Sequence, residues 1–158
     1  MPQSSDRLQA KFMNYDETKG PSHPQQGAVY YKVTDVETGK SFAAIWDLES
    51  HPGGDQRVIA FSKGVDLMAH DTMYTDEEYN SEKMVVQGFG HSTYSMAIDN
   101  AHKSGAKKLL CMHYNPDHTD SFLDEYKGVV EAIVAMSQPA GREPLQVEFS
   151  VEGTSYEV

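Results

Sequence analysis

Two β-type runs, 28–33 and 41–46, lie either side of Asp35-Val36-Glu37-Thr38-Gly39-Lys40, whose polar residues and glycine suit a reversal. Beyond this hairpin, helix and strand signals alternate. Asp55 can cap a short helix running to about Lys63, with Gly64 as its stop, and 65–70 then reads as a strand. Thr75-Asp76-Glu77-Glu78 has the spacing of a capping box. Ser92 or Thr93 opens a helix with Met96, Ala97, Ile98 and Ala101 on one face and Gly105 as its stop. The run 107–113 is a buried strand ending in a histidine. Phe122, Tyr126, Val129, Val130, Ile133 and Val134 then recur at helical spacing up to Pro139. Leu145, Val147, Phe149 and Val151 alternate with polar partners, as in a half-buried strand. A hairpin followed by strand and helix alternation predicts an α/β layered domain with helices against a mixed sheet. Residues 1–21 read as an extended lead-in and 22–158 as a single domain.

Charge and composition exclude several functions. With 24 acidic and 13 basic residues the net charge is −11, so most of the surface repels a nucleic-acid backbone and general DNA binding is disfavoured. A polyanionic substrate would need a local cationic device, most economically a metal ion. No uninterrupted apolar stretch approaches the roughly 20 residues that cross a bilayer, so no membrane role is expected. The N-terminus carries no apolar signal centre and Cys111 is the one cysteine, which makes a reducing cytoplasm the expected location.

The unusual inventory is seven histidines. His23, Asp47, His70-Asp71, His91 and His113 all fall in loops or at strand ends, the rims where layered α/β folds hold ligands. Asp47 directly follows the apolar run ending in Trp46, a costly place for a carboxylate unless a cation or donors satisfy it. Imidazoles and carboxylates from several loops suit a divalent zinc, iron or manganese. Each residue also has an ordinary explanation: His23 as a solvated loop residue, Asp47 as a turn residue, His91 as a neighbour of a helix cap, and His113 as a core histidine bonded to backbone. His102 and His118 read as surface residues, and Tyr30, Tyr31, Phe42 and Trp46 as packing. Glu49 and His51 lie near Asp47, but no spacing argument places them.

Order and context change the balance. Gly90-His91-Ser92-Thr93, then Ala97 and Ala101 on a helix, Gly105-Ala106-Lys107-Lys108-Leu109, and a strand ending Met112-His113-Tyr114-Asn115-Pro116 follow one another. Upstream stand Ser22-His23-Pro24-Gln25-Gln26-Gly27, the hairpin, Ile45-Trp46-Asp47-Leu48-Glu49, and the stretch from Asp66 to Tyr74 that contains His70-Asp71. Together these resemble the C-terminal half of the metallo-β-lactamase-fold metallohydrolases, in the ribonuclease Z and cyclic phosphodiesterase branch. The resemblance covers roughly residues 22–118 and is specific as a set rather than piece by piece.

The resemblance implies half of an αββα sandwich, its mixed sheet carrying helices on one face. It also implies roles. His23 resembles a ligand of the first metal, Asp47 the carboxylate bridging two metals, and His113 the last ligand of the second. Asp71 and His91 resemble the pair beside the scissile phosphate that assists proton transfer to the leaving oxygen. The cofactor implied is a divalent metal, zinc first, with iron or manganese as alternatives, and its ligand set is incomplete in one chain. The substrate implied is a small molecule or phosphodiester.

One departure is large. The family's His-x-His-x-Asp-His motif is missing, since no two histidines stand two positions apart. A half-domain is therefore expected, either a fragment or split-gene product, a lone half that pairs with itself, or a remnant without catalysis. A half sandwich leaves one sheet face without its covering layer, so a homo-oligomer or a separate chain bearing the N-terminal half is expected as partner. The expected function is a metal-dependent hydrolase, phosphodiesterase-like when complete. Its alternative is a non-catalytic binding or assembly module that keeps the half fold, and thioester hydrolysis or oxidation would share the same ligands.

Overall fold

A computed structural model describes residues 7–15 and 27–158. Six strands form one sheet in sequence order: β1 Leu8–Tyr15, β2 Ala28–Asp35, β3 Ser41–Ile45, β4 Leu67–Asp71, β5 Lys108–Met112 and β6 Gln146–Phe149. The helices are α1 Gln56–Phe61, α2 Asp76–Tyr79, α3 Tyr94–Ser104 and α4 Asp120–Ser137. The first three strands run antiparallel, and β3 to β6 are parallel. The sheet is mixed, as expected. The lead-in holds a strand that periodicity does not reveal: β1 pairs with β2 along its whole length, from Leu8 opposite Asp35 to Tyr15 opposite Ala28.

Local chemistry sets the element ends. Gly39 N–H donates to the Asp35 carbonyl across the hairpin turn at 2.7 Å, and Asp35 Oδ1 accepts from Glu37 N–H at 3.0 Å. Asp55 caps α1 by accepting from Arg57 and Val58 N–H, and Thr75 and Glu78 form the reciprocal capping box of α2. Thr93 caps α3, which stops at Gly105 in the left-handed region, φ 75°. A Cβ added at Gly105 would meet only Arg142 Nη1, 4.0 Å away. Gly105→Ala therefore isolates the backbone cost. It is expected to lower stability by about 1 kcal/mol, visible in thermal unfolding as a fall of roughly 2–4 °C.

Strand alternation splits the side chains between two faces. On one, Tyr30, Ala43, Ile45, Met68, Leu109 and Cys111 pack against Val58 of α1, Ala97, Ile98 and Ala101 of α3, and Val130 and Val134 of α4. This is the main core, and α1, α3 and α4 share that face. The other face carries a smaller cluster of Leu67, Ala69 and Leu110 with Phe42, Met112 and Tyr156 around it. Tyr156 reaches it from the C-terminal segment, its hydroxyl accepting from Val151 N–H at 2.7 Å and donating to the Phe149 carbonyl at 3.2 Å. Beyond Tyr156 the face stays open toward β1 and β2, where Phe12 is 69% exposed and Leu8 and Tyr31 are also exposed. One layered half with helices on one side is the architecture expected from the sequence.

Candidate metal centre

Parallel neighbours end at the same edge of a sheet, so β3, β4 and β5 deliver their C-terminal residues to one rim. Ile45 lies opposite His70 and Asp71 opposite Met112. Asp47 follows β3, Asp71 ends β4 and His113 follows β5. Asp47 and His113 both adopt left-handed backbone, φ 49° and 61°, conformations uncommon outside glycine and found where a site turns a side chain against local preference. His91 arrives from the loop before the Thr93 cap.

Asp71 is the hub. Its side chain is 0% exposed; Oδ2 lies 2.8 Å from His91 Nδ1 and 3.1 Å from His113 Nδ1, while Oδ1 accepts from Ser92 and Met73 N–H at 3.2 Å each. Burial by itself would raise the Asp71 carboxyl, but the hydrogen bonds from His113 and His91 prevail and hold it below its ordinary value. It is a carboxylate, so both rings donate to it through Nδ1 and keep Nε2 as their basic nitrogen. The same hydrogen bond raises the His113 imidazole, against its partial desolvation and with help from the charges of Asp71 and Asp47. The two rings meet edge to face, centroids 4.9 Å apart. His113 Nδ1 is 3.4 Å from Asp47 Oδ1, and exposure rises outward to 34% for the His113 side chain and 43% for that of Asp47. The cluster opens to solvent at Asp47.

Donor atoms of Asp47, Asp71, His91 and His113 all lie within 4.8 Å of one another. With neutral imidazoles the four carry two negative charges, which a divalent cation would balance, and a mixed carboxylate and imidazole set suits zinc, iron or manganese. The donor set fits a metal. Of the five residues to which the resemblance gave roles, the structure brings four together; His23 lies outside the described residues.

The supporting shell was not legible in the sequence. Ser92 Oγ donates to the Leu48 carbonyl at 2.5 Å and accepts from Ser50 N–H at 3.0 Å. His70, fully buried, donates from Nδ1 to the Asp71 carbonyl at 2.7 Å and accepts at Nε2 from Asn100 Nδ2 at 2.9 Å. Burial keeps that ring neutral, pushing it below its ordinary value. Asn100 also donates to Ser50 Oγ and accepts from Asp55 N–H, so a single amide joins β4, the loop after Asp47 and the cap of α1. Nothing in the residue types or spacing indicates these links. Two surface assignments are corrected as well: His102 is 7% exposed, beneath Ser137 and Arg142, and the His118 side chain is buried with Nε2 2.8 Å from Glu78 Oε1.

No protein-family model matches the sequence. Among curated proteins the chain is 29% identical over 83 residues to ribonuclease Z of Porphyromonas gingivalis, covering 51% of this chain and 26% of that protein. It is 30% identical over 102 residues to ribonuclease BN of Cronobacter sakazakii, covering 65% and 31%. Among solved structures, the metallo-β-lactamase fold protein YhfI of Bacillus subtilis superposes with TM-score 0.58 at 17% identity, over 95% of this chain and 49% of that one. Zinc-bound PqqB of Methylobacterium extorquens gives 0.56 at 16% identity, over 91% and 45%. Human tRNase Z, short form, gives 0.53 at 14% identity, over 93% and 42%. The chain spans less than half the length of these structures, and the matched stretches less than a third of the curated relatives. These matches show the metallo-β-lactamase fold for this chain, and part of its sequence is similar to ribonucleases Z and BN.

Proposed function

We propose that this chain supplies one half of the centre of a metal-dependent phosphodiesterase. The observation that carries the reading is the hydrogen-bonded pair Asp71 and His91 beside His113 and Asp47 on a single rim. Asp47 and His113 would hold a divalent metal, zinc first and iron or manganese as alternatives, with His23 as a further ligand; the metal supplies charge neutralisation for the anionic ester and acidifies water. The chain's own residues do the rest. Asp71 occupies the Nδ1 side of His91, so a proton the ring delivers to the leaving oxygen departs from Nε2. Asp71 also orients His113, so one carboxylate aligns both the proton donor and a metal ligand.

The proposal includes a partner. The open sheet face with Phe12, Tyr31 and Leu8 needs a cover, and the family's first motif must come from elsewhere. A second copy of this chain or a chain bearing the N-terminal half would provide the layer, and only the latter the motif. Among the described residues no helix is long and apolar enough to cross a membrane; a cytoplasmic setting stays part of the proposal, resting on the one cysteine.

Metal content per chain by plasma emission, with solution mass from light scattering on the same sample, tests it. Stoichiometric metal in a dimer or hetero-complex, and loss of bis-p-nitrophenyl phosphate hydrolysis on chelation, are expected. A monomer at micromolar concentration removes the homodimer. Metal-free protein that hydrolyses nothing, alone or with the partner half, overturns the catalytic reading in favour of a binding module, which the missing His-x-His pair supports.

A further inference from the structure

The turn after β3 and the loop before α3 are joined by more than Ser92. Glu49, two residues after Asp47, places its half-buried carboxylate under residues 79–90. Oε1 accepts from Tyr79 Oη at 2.6 Å and from Gly88 N–H at 2.7 Å, and Oε2 accepts from Gly90 N–H at 2.9 Å. Gly90 immediately precedes His91. Both glycines have left-handed backbone, φ 86° and 91°, so they suit a turn that aims two amides at one side chain. The carboxylate is thus bonded to a loop that starts at α2 and ends at the proton-donor candidate, while its own backbone follows directly from a metal-ligand candidate.

We propose that Glu49 is the positioning residue of this centre: it sets the distance between the Asp47 turn and the His91 loop and so holds His91 in register with Asp71. The role is specific to a carboxylate. All three partners are donors, and a glutamine would bring an NH2 group to one side or the other. On the Oε1 side it would oppose the Gly88 amide; on the Oε2 side, the Gly90 amide. Tyr79 can turn its hydroxyl to accept, but a backbone N–H cannot. An unsatisfied amide would push the loop outward at the residue next to His91, while His113, fixed at the end of β5 by its own bond to Asp71, would keep its place.

The inference rests on reading Asp71 and His91 as a working pair, but its test needs no turnover. Long-range proton–nitrogen correlation spectra of the metal-free full chain report the ring tautomer of each histidine, with His91 assigned by comparison with His91→Gln. In Glu49→Gln the His91 ring is expected to lose its single Nδ1–H form and average between tautomers, while His113 keeps its own. Gly88→Ala is the second variant: its Cβ would meet nothing within 4 Å, so it disturbs only the backbone conformation that aims the amide. It is expected to change His91 in the same sense, and it decides the matter if Glu49→Gln does not fold. A merely structural glutamate would lower the melting temperature and leave the His91 ring unchanged, or disturb His91 and His113 alike; either result overturns the proposal. A chain that hydrolyses no phosphodiester yet shows the selective His91 change overturns the catalytic reading and leaves the positioning role standing.

Discussion

Asp71→Asn is expected to be the most damaging single substitution at the rim. The carboxylate is fully buried and receives four hydrogen bonds, from both imidazoles and from Ser92 and Met73 N–H. An asparagine turns an NH2 group toward at least one of these donors, and loss of one member of a buried charged cluster costs about 3 kcal/mol. For a chain of this size that is on the order of 10 °C in thermal unfolding. The pH dependence supplies a second check on the metal-free protein. Asp71 is held below its ordinary value, so its contribution is present above the carboxylate range and is lost as pH falls through the lowered value. His113 is raised above its ordinary 6.5, so its contribution is present below that value and is lost as pH rises through the raised one. In Asp71→Asn the acid loss should diminish and the His113 step should shrink. Stability curves that parallel the parent at every pH would show that the hydrogen-bonded cluster does not form in solution.

The second large effect separates chemistry from ligation. His91→Ala is expected to lower turnover of an activated phosphodiester by about 100-fold or more, the usual scale for removal of a positioned general acid, while metal content stays at the parent level. His113→Ala should instead lower metal content along with activity. Side by side, the two variants assign the rings their roles. If His91→Ala also loses metal, the ring is a ligand, as its donor distances to the other three groups would allow. If turnover is unchanged with full metal content, His91 is not the proton donor. A substrate with a better leaving group provides an internal control, because it needs less help from an acid and should suffer less from the substitution.

Short-range chemistry was legible in the residues themselves. Thr93 and Gly105 delimit α3 because a side-chain oxygen reaches an N–H three residues on and a glycine tolerates φ 75° with no help from elsewhere. The same holds for Asp55 at α1 and the Thr75–Glu78 box at α2. The buried strands 67–71 and 108–112 and the hairpin were visible for a similar reason, as each is a continuous run of suitable side chains. The site was half legible: residue types at strand ends marked Asp47, Asp71, His91 and His113 as candidates, and a resemblance spread over the chain suggested their roles.

No local rule could decide which strand ends share a rim. Asp47, Asp71 and His113 converge only because β3, β4 and β5 lie side by side and parallel, an arrangement fixed by helix packing on one face and by pairings between residues far apart in sequence. The lead-in could not announce β1 because its side chains from Leu8 to Phe12 lie exposed; its partner, β2, makes it a strand. His118 looked solvated in its Asp-rich loop, yet it is buried because Glu78, from α2, folds against it. Ser92 and Asn100 were invisible as supporting residues, and Glu49 was noticed beside Asp47 but could not be placed, for the same reason. Their hydrogen bonds join residues 21 to 50 positions apart, so sequence determined which side chains could make such bonds, and only the tertiary structure brought their partners within reach.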